Sequence, residues 1–287
     1  MIKTILVPAS GNPSDAATFA AALAIARPFG AHIEVLHARY DPTSAAVAMA
    51  TDGGSGTLTI GLIEQLENDA RGREAKAKEA FTRFASAAAI LETGAPSASS
   101  GGVTAEFRAE VGEEPRLLAR YGMTADLVVA ARTPDDDALG RPTLEAVLLE
   151  TGRPLLISAA AAMPAAIDRV AIAWKPTRHT ARAVALAMPL IARAKEVVVL
   201  TVAEPRDEHD TTDRLVSTLT WHGLKARAEA LRPGADGAVA TLLAAAKDRA
   251  DLLVMGGYGH TRIREWVFGG FTQQVLTDAP LPVLIAH

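Results

Sequence analysis

The feature that most constrains this chain is that it repeats itself. Short aliphatic runs alternate with longer stretches of helical period, the pattern of successive βαβ units around a parallel sheet, and the whole alternation occurs twice. "KTILVPAS", the Ala-rich residues 15–27 and "HIEVLHA" open the first copy; "DRVAIAWKP", residues 178–194 and "EVVVLTVAEP" open the second. "ALAI" (22–25) returns as "ALAM" (185–188), "ADLVVAART" (125–133) as "ADLLVMGGY" (250–258), and "RPLLIS" (153–158) as "LPVLIA" (281–286). Such self-similarity marks a duplicated unit. It predicts two α/β domains, 1–160 and 166–287, divided in the Ala/Pro-rich "SAAAAMPAAID" (158–168), each with five strands and about four helices.

The copies differ mainly between their second and third strands, where His37 to Val103 spans 66 positions but Thr201 to Lys225 only 24. The excess is a Gly/Ser/Thr-rich loop ("YDPTSAAVAMATDGGSGT"), a long helix over 58–91 and a second loop, "ETGAPSASSGG". These read as a surface insertion with a solvated helix face, the alternative being a lid or partner site. Pro189 lacks a backbone donor and should kink or shorten the helix that contains it.

Composition narrows the function classes. The absence of cysteine excludes disulfides, thiolate metal sites and cysteine nucleophiles. A net charge of −4 with interspersed signs offers no broad basic face for nucleic acid. The N-terminus lacks the layout of a signal peptide, and no apolar run approaches the roughly 18 residues of a membrane span. The expectation is a soluble cytoplasmic protein that engages neither nucleic acid nor membrane.

The segment that invites a functional reading is "VMGGYGHTRIREWVFGGFT" (254–272), which leaves a late strand of the second copy and enters a helix. In parallel sheets ligands bind beyond the carboxyl ends of the strands. Glycines there let the backbone approach closely, and free N–H groups at a helix start favour an anion. No GxxxxGK[ST] is present, and only two glycines of a GxGxxG can be matched, after a late strand instead of the first.

Gly256, Gly259 and Gly269 form G-x2-G-x9-G, which resembles the ATP-binding signature of the universal stress protein family. The five-strand order, the opening "ILVP" and the closing "LPVLIA" are similar to that family too, and the resemblance covers both halves. The resemblance implies a tandem pair of open, twisted five-stranded parallel sheets flanked by helices, of the Rossmann-like adenine-nucleotide α-hydrolase type, packed with pseudo-twofold symmetry. It further implies that the edge strands ending "PLLIS" and "PVLIAH" pair with each other; a homodimer of the whole chain is compatible with this. Gly256, Gly259, His260, Gly269, Gly270, Phe271 and Thr272 would form the phosphate loop, Val202 would border the adenine, and "WKPT" (174–177), with Trp174 and Lys175, would meet base or ribose. The ligand would be ATP, ADP or AMP, with or without Mg²⁺.

Two departures stand out. Lys175 replaces the family's usual acidic or amide residue and Pro176-Thr177 its Gly-Ser; the ammonium could pair with phosphate or fill the site. Gly270 replaces the hydroxyl residue that normally follows Gly269, with Thr272 two positions on. In the first copy the stretch 126–140 is four residues shorter than 251–269, lacks G-x2-G and carries Asp135, Asp136 and Asp137, which would repel phosphate.

Blander readings stand beside these. His260 could simply cap a turn, Trp174 could be core, and Arg262 and Arg264 could form surface pairs with Glu265. The remaining histidines show no zinc spacing. No catalytic constellation is visible, although slow ATP hydrolysis is compatible with the loop. The sequence therefore points to an adenine-nucleotide-binding regulator of stress response, with a nucleotide-free interaction scaffold as the alternative.

Overall fold

The computed structural model of the protein describes residues 1–41, 60–95, 101–132, 140–158, 163–164, 166–202, 209–257 and 270–287. The first half runs β1 (Thr4–Pro8), α1 (Asp15–Ala26), a 3₁₀ turn (Arg27–Phe29), β2 (His32–Arg39), α2 (Ile60–Ala87), β3 (Leu91–Glu92), β4 (Thr104–Val111), α3 (Glu114–Gly122), β5 (Leu127–Ala130), α4 (Gly140–Glu150) and β6 (Leu155–Ile157). The second runs β7 (Arg169–Ala173), α5 (Arg178–Ile191), β8 (Glu196–Val202), α6 (His209–Trp221), β9 (Ala226–Leu231), α7 (Gly237–Arg249), β10 (Leu252–Gly256), α8 (Gly270–Asp278) and β11 (Val283–Ala286).

The strands form one open sheet in the order β3-β4-β2-β1-β5-β6-β11-β10-β7-β8-β9. All neighbours are parallel except β6 and β11, where the halves meet: Leu155 faces Ile285, Leu156 faces Leu284, and Ile157 faces Val283. Leu156 and Leu284 are equivalent positions of the repeat, so the register is symmetric about them and a pseudo-twofold axis passes through this pair. The two expected five-stranded arrays are thus joined edge to edge, and the first gains a short sixth strand, β3, beside β4.

Central strands such as "LVVA" and "VLIA" are buried along their whole length, as sheets covered on both faces require. Alternate side chains point to opposite faces. Ile5, Val129, Val170 and Leu284 face a core beneath α1, α2, α5 and α6, which supply Phe19, Phe81, Ala183 and Leu219. Leu6, Val128, Leu253 and Ile285 face a second core, filled by Leu118, Val147, Leu242 and Val275 of α3, α4, α7 and α8. Both cores draw on both halves.

Helix boundaries follow local chemistry. Thr177 caps α5, its hydroxyl accepting from the Thr180 N–H at 3.3 Å. Pro189 lies inside that helix, which ends two residues later at Ile191, short of the 194 expected from periodicity. The long insertion helix spans Ile60–Ala87, within the expected 58–91; Leu91 belongs to β3. Among the described residues no helix is long and apolar enough to cross a membrane.

Candidate functional site

The carboxyl ends of β7, β8 and β10 and the starts of α5 and α8 define the second half's loop-bearing rim. Trp174 is the first residue beyond β7, and its N–H donates to the Leu200 carbonyl at 2.8 Å, continuing the ladder. Its indole is half-buried against the α5-side core, and Nε1 donates to Thr211 Oγ1 at 3.4 Å. Val202 ends β8 and packs against the opposite core. Lys175 is exposed, and its carbonyl accepts from the Thr177 N–H across Pro176 at 2.6 Å. Proline's fixed φ suits the centre of such a three-residue turn. The side chain of Lys175 therefore stands in solvent at the mouth of the rim.

Gly256, the last residue of β10, has a demanding neighbour. A Cβ there would lie 2.5 Å from the Thr180 nitrogen and 2.7 Å from the His179 carbonyl carbon. The glycine lets the first turn of α5 rest directly on the strand end. Gly257 donates its N–H to the Ala286 carbonyl at 2.8 Å, and a Cβ at this position would meet Leu148 Cδ2 at 3.2 Å. On the far side of the loop, α8 begins at Gly270, with Phe271 exposed and Thr272 buried. Gly259, His260 and Gly269, together with Arg262, Arg264 and Glu265, lie outside the described residues.

Sequence reasoning missed a cluster beside Gly256. The imidazoles of His179 and His287 stack with centroids 4.4 Å apart and planes 30° apart. Burial lowers the pKa of each below the ordinary 6.5; Arg178 and Arg182 lower both further, and His287 adds to the effect on His179. Arg182 also donates to the Gly152 carbonyl at 3.4 Å, so the first half supplies part of this wall. The cue to α5's start, Thr177 followed by Thr180, is readable; the His179 to His287 contact depends on β11 lying beside β10.

In the equivalent rim of the first half, the loop after β1 is held by contacts of its own. The buried carboxylate of Asp15 accepts from the Ser10 N–H (2.9 Å), the Ser10 hydroxyl (2.8 Å) and the Gly11 N–H (2.8 Å). Gly11 has φ +78°, and a Cβ on it would sit 2.5 Å from the Arg73 carbonyl oxygen, so the backbone of α2 presses on this loop. His37 is buried with Nδ1 2.7 Å from the Ala9 carbonyl oxygen. Arg132, beyond β5, donates to the Val275 carbonyl of α8 at 3.4 Å; burial lowers its pKa and Asp278 opposes that shift. Thr143, the counterpart of Thr272, is also buried. Asp135, Asp136 and Asp137 lie outside the described residues.

A cavity of about 590 Å³, lined by residues including Asp168, Arg169, Lys195 and Asp251, lies at the opposite, amino ends of the second half's strands. Four of its charges pair, Arg169 with Asp251 at 2.8 Å and Lys195 with Asp168 at 2.6 Å; Glu196 and Lys225 also line it. Among the described residues no group of three or more acidic or histidine side chains is placed to hold a metal ion.

The sequence profile of the universal stress protein family matches residues 1–150 and 225–287. The unmatched stretch, 151–224, contains β7, α5 and β8 and with them "WKPT" (174–177). No curated protein matches the sequence. Among solved structures, a universal stress protein from Archaeoglobus fulgidus aligns with a TM-score of 0.69 at 14% identity, covering 99% of this chain and 95% of that one. A putative universal stress protein from Pseudomonas aeruginosa UCBPP-PA14 aligns at 0.59 and 15% identity, covering 99% and 93%. A functionally unknown protein from Pseudomonas aeruginosa PAO1 aligns at 0.56 and 16%, covering 99% and 92%. At these identities the likeness is one of fold, and it extends over both halves.

Proposed function

Because the chain belongs to the universal stress protein family, we propose that its second half binds an adenine nucleotide and that the protein acts as a nucleotide-responsive regulator of stress response in the cytoplasm. The observation that carries this reading is the asymmetry of the two rims. In the first, Asp15 and α2 hold the loop after β1 and the sequence lacks G-x2-G, whereas the second keeps the G-x2-G-x9-G sequence between β10 and α8, with the start of α5 against Gly256 and Lys175 exposed after β7.

In this reading the phosphates of ATP, ADP or AMP lie along Gly259, His260, Gly269 and Gly270 at the start of α8, where oriented amides favour an anion. Thr272 lies in the first turn of the same helix, next to Phe271. Lys175 supplies a point charge toward the phosphates. The base lies at the carboxyl ends of β7 and β8, bordered by Trp174 and Val202. Mg²⁺ would accompany the di- or triphosphate through the phosphate oxygens.

A second reading, a nucleotide-free interaction scaffold, draws on two observations: the Trp174 indole already engages Thr211, and Gly256 is occupied with packing α5. Denaturing freshly purified protein and identifying released nucleotide, followed by calorimetric titration with ATP, ADP and AMP, separates the two. Released nucleotide or saturable heat is the expected result; neither release nor heat would leave the scaffold. Gly259→Val should abolish binding while leaving the melting temperature unchanged, and unaltered affinity would remove the loop from the site.

A further inference from the structure

The two ends of the eleven-stranded sheet are finished differently. At the first, β4 is partly covered by β3, with Leu91 opposite Thr104 and Glu92 opposite Ala105. At the other, β9 pairs only with β8 among the described residues, and Arg227, Ala228 and Ala230 are exposed. An open edge is a template for another strand.

The direction of the open hydrogen-bonding groups can be read from the ladder. The Lys225 carbonyl accepts from the Val197 N–H of β8 at 2.9 Å. Backbone groups alternate sides along a strand, so Arg227 and Glu229 face β8 while Ala226, Ala228 and Ala230 turn their N–H and C=O groups outward. A second β9 laid antiparallel, with its twofold axis at Ala228, would exchange bonds between the two Ala228 residues and between Ala226 and Ala230 in both directions. All six outward groups would then be paired.

In that register Arg227 of each copy stands opposite Glu229 of the other, in a non-hydrogen-bonded pair where Cα atoms come within about 4.5 Å. The stretch "ARAEA" is therefore self-complementary in charge as well as in hydrogen bonding. Trp221, at the end of α6 just before this strand, is 91% exposed. Tryptophan so placed is a common anchor of protein interfaces. The geometry points to β9 as a homodimerisation edge, at which a second copy of this chain extends the sheet through the Arg227 and Glu229 pairs, with Trp221 flanking the seam.

Sedimentation velocity on the full chain, over a roughly hundredfold range of concentration, should show a monomer–dimer equilibrium. Arg227→Glu sets two Glu–Glu pairs across the seam and should weaken the dimer roughly tenfold. Glu229→Arg sets two Arg–Arg pairs and should do the same. An equimolar mixture of the two variants restores both opposite-charge pairs and should recover the dimer. Within its own chain Glu229 already pairs with Arg227 at 2.8 Å and with Arg249 at 2.7 Å; Arg227→Glu breaks the first of these pairs and Glu229→Arg both, so folding of each variant is checked by thermal melt. Ala228→Pro, which removes an outward donor at the axis without touching the ladder to β8, supplies an independent monomeric variant. A wild-type monomer throughout, a dimer indifferent to Arg227→Glu and Ala228→Pro, or folded variants that fail to associate when mixed would each overturn the assignment.

Discussion

Asp126 and Asp251 hold equivalent places in the two halves, each accepting two successive N–H groups at the foot of its half's leading strand. Asp126 Oδ2 receives Lys3 at 2.7 Å and Thr4 at 3.1 Å; Asp251 Oδ2 receives Asp168 at 3.1 Å and Arg169 at 2.9 Å. The recurrence of "ADL" in the sequence is thus a recurrence of one fastening, between β1 and β5 and between β7 and β10. Asp251 adds the Arg169 guanidinium at 2.8 Å.

Asp251→Ala should cost about 1–3 kcal/mol, the range for stranding the hydrogen-bonded partners of a partly buried charged acceptor. Burial pushes the Asp251 pKa up, but the Arg169 side chain and the two backbone donors outweigh it and hold the carboxyl below its ordinary 3.8. The stabilisation is therefore complete above 3.8 and disappears as pH falls through the lowered folded value. Acid titration of wild type and variant, followed by circular dichroism, should show the difference in stability narrowing in that window.

Gly256→Ala should lower stability by about 1–3 kcal/mol, because the new methyl meets backbone of α5 and cannot be relieved by rotating a side chain. The contrast with Gly259→Val is informative: the first should shift the melt, the second ligand affinity alone. A Gly256→Ala melt equal to wild type would mean that α5 is not seated on β10 as described.

Acidification should weaken the contact between α5 and β11. His179 and His287 both have lowered pKa values, so as pH falls through 6.5 the unfolded chain takes up protons before the folded one does. Stability is retained above 6.5 and declines below it toward the folded values. Comparing melting temperatures of wild type and His287→Gln across this range should show a shallower decline in the variant.

The joined sheet should unfold as one unit. Leu284 is 1% exposed and sits opposite Leu156 at the joint, in a core shared by both halves. Leu284→Ala should cost about 2–5 kcal/mol. Differential scanning calorimetry should show a single transition moved to lower temperature as a whole; two separable transitions would contradict the shared cores.

The fold was legible where strands are buried on both faces, because Leu127–Ala130 and Val283–Ala286 then appear as uninterrupted apolar runs. β3 was not: its two residues, Leu91 and Glu92, are both exposed, and a two-residue edge strand has no periodicity to read. At the candidate site the glycines were conspicuous, but a glycine announces only that something comes close, not what. At Gly256 the close neighbour is the first turn of α5. Asp15 escaped notice because its three donors come from a loop whose closure depends on α2, far along the chain.

The antiparallel joint between β6 and β11 turns the two loop-bearing rims toward opposite ends of the sheet, so nothing bound at one can touch the other directly. Each rim nevertheless borrows its wall from the opposite half, Leu148 of α4 beside Gly257 and the Val275 carbonyl of α8 beneath Arg132. Neither half is then free to drift on its own account. A change in the last helix of either half is therefore felt at the rim of the other.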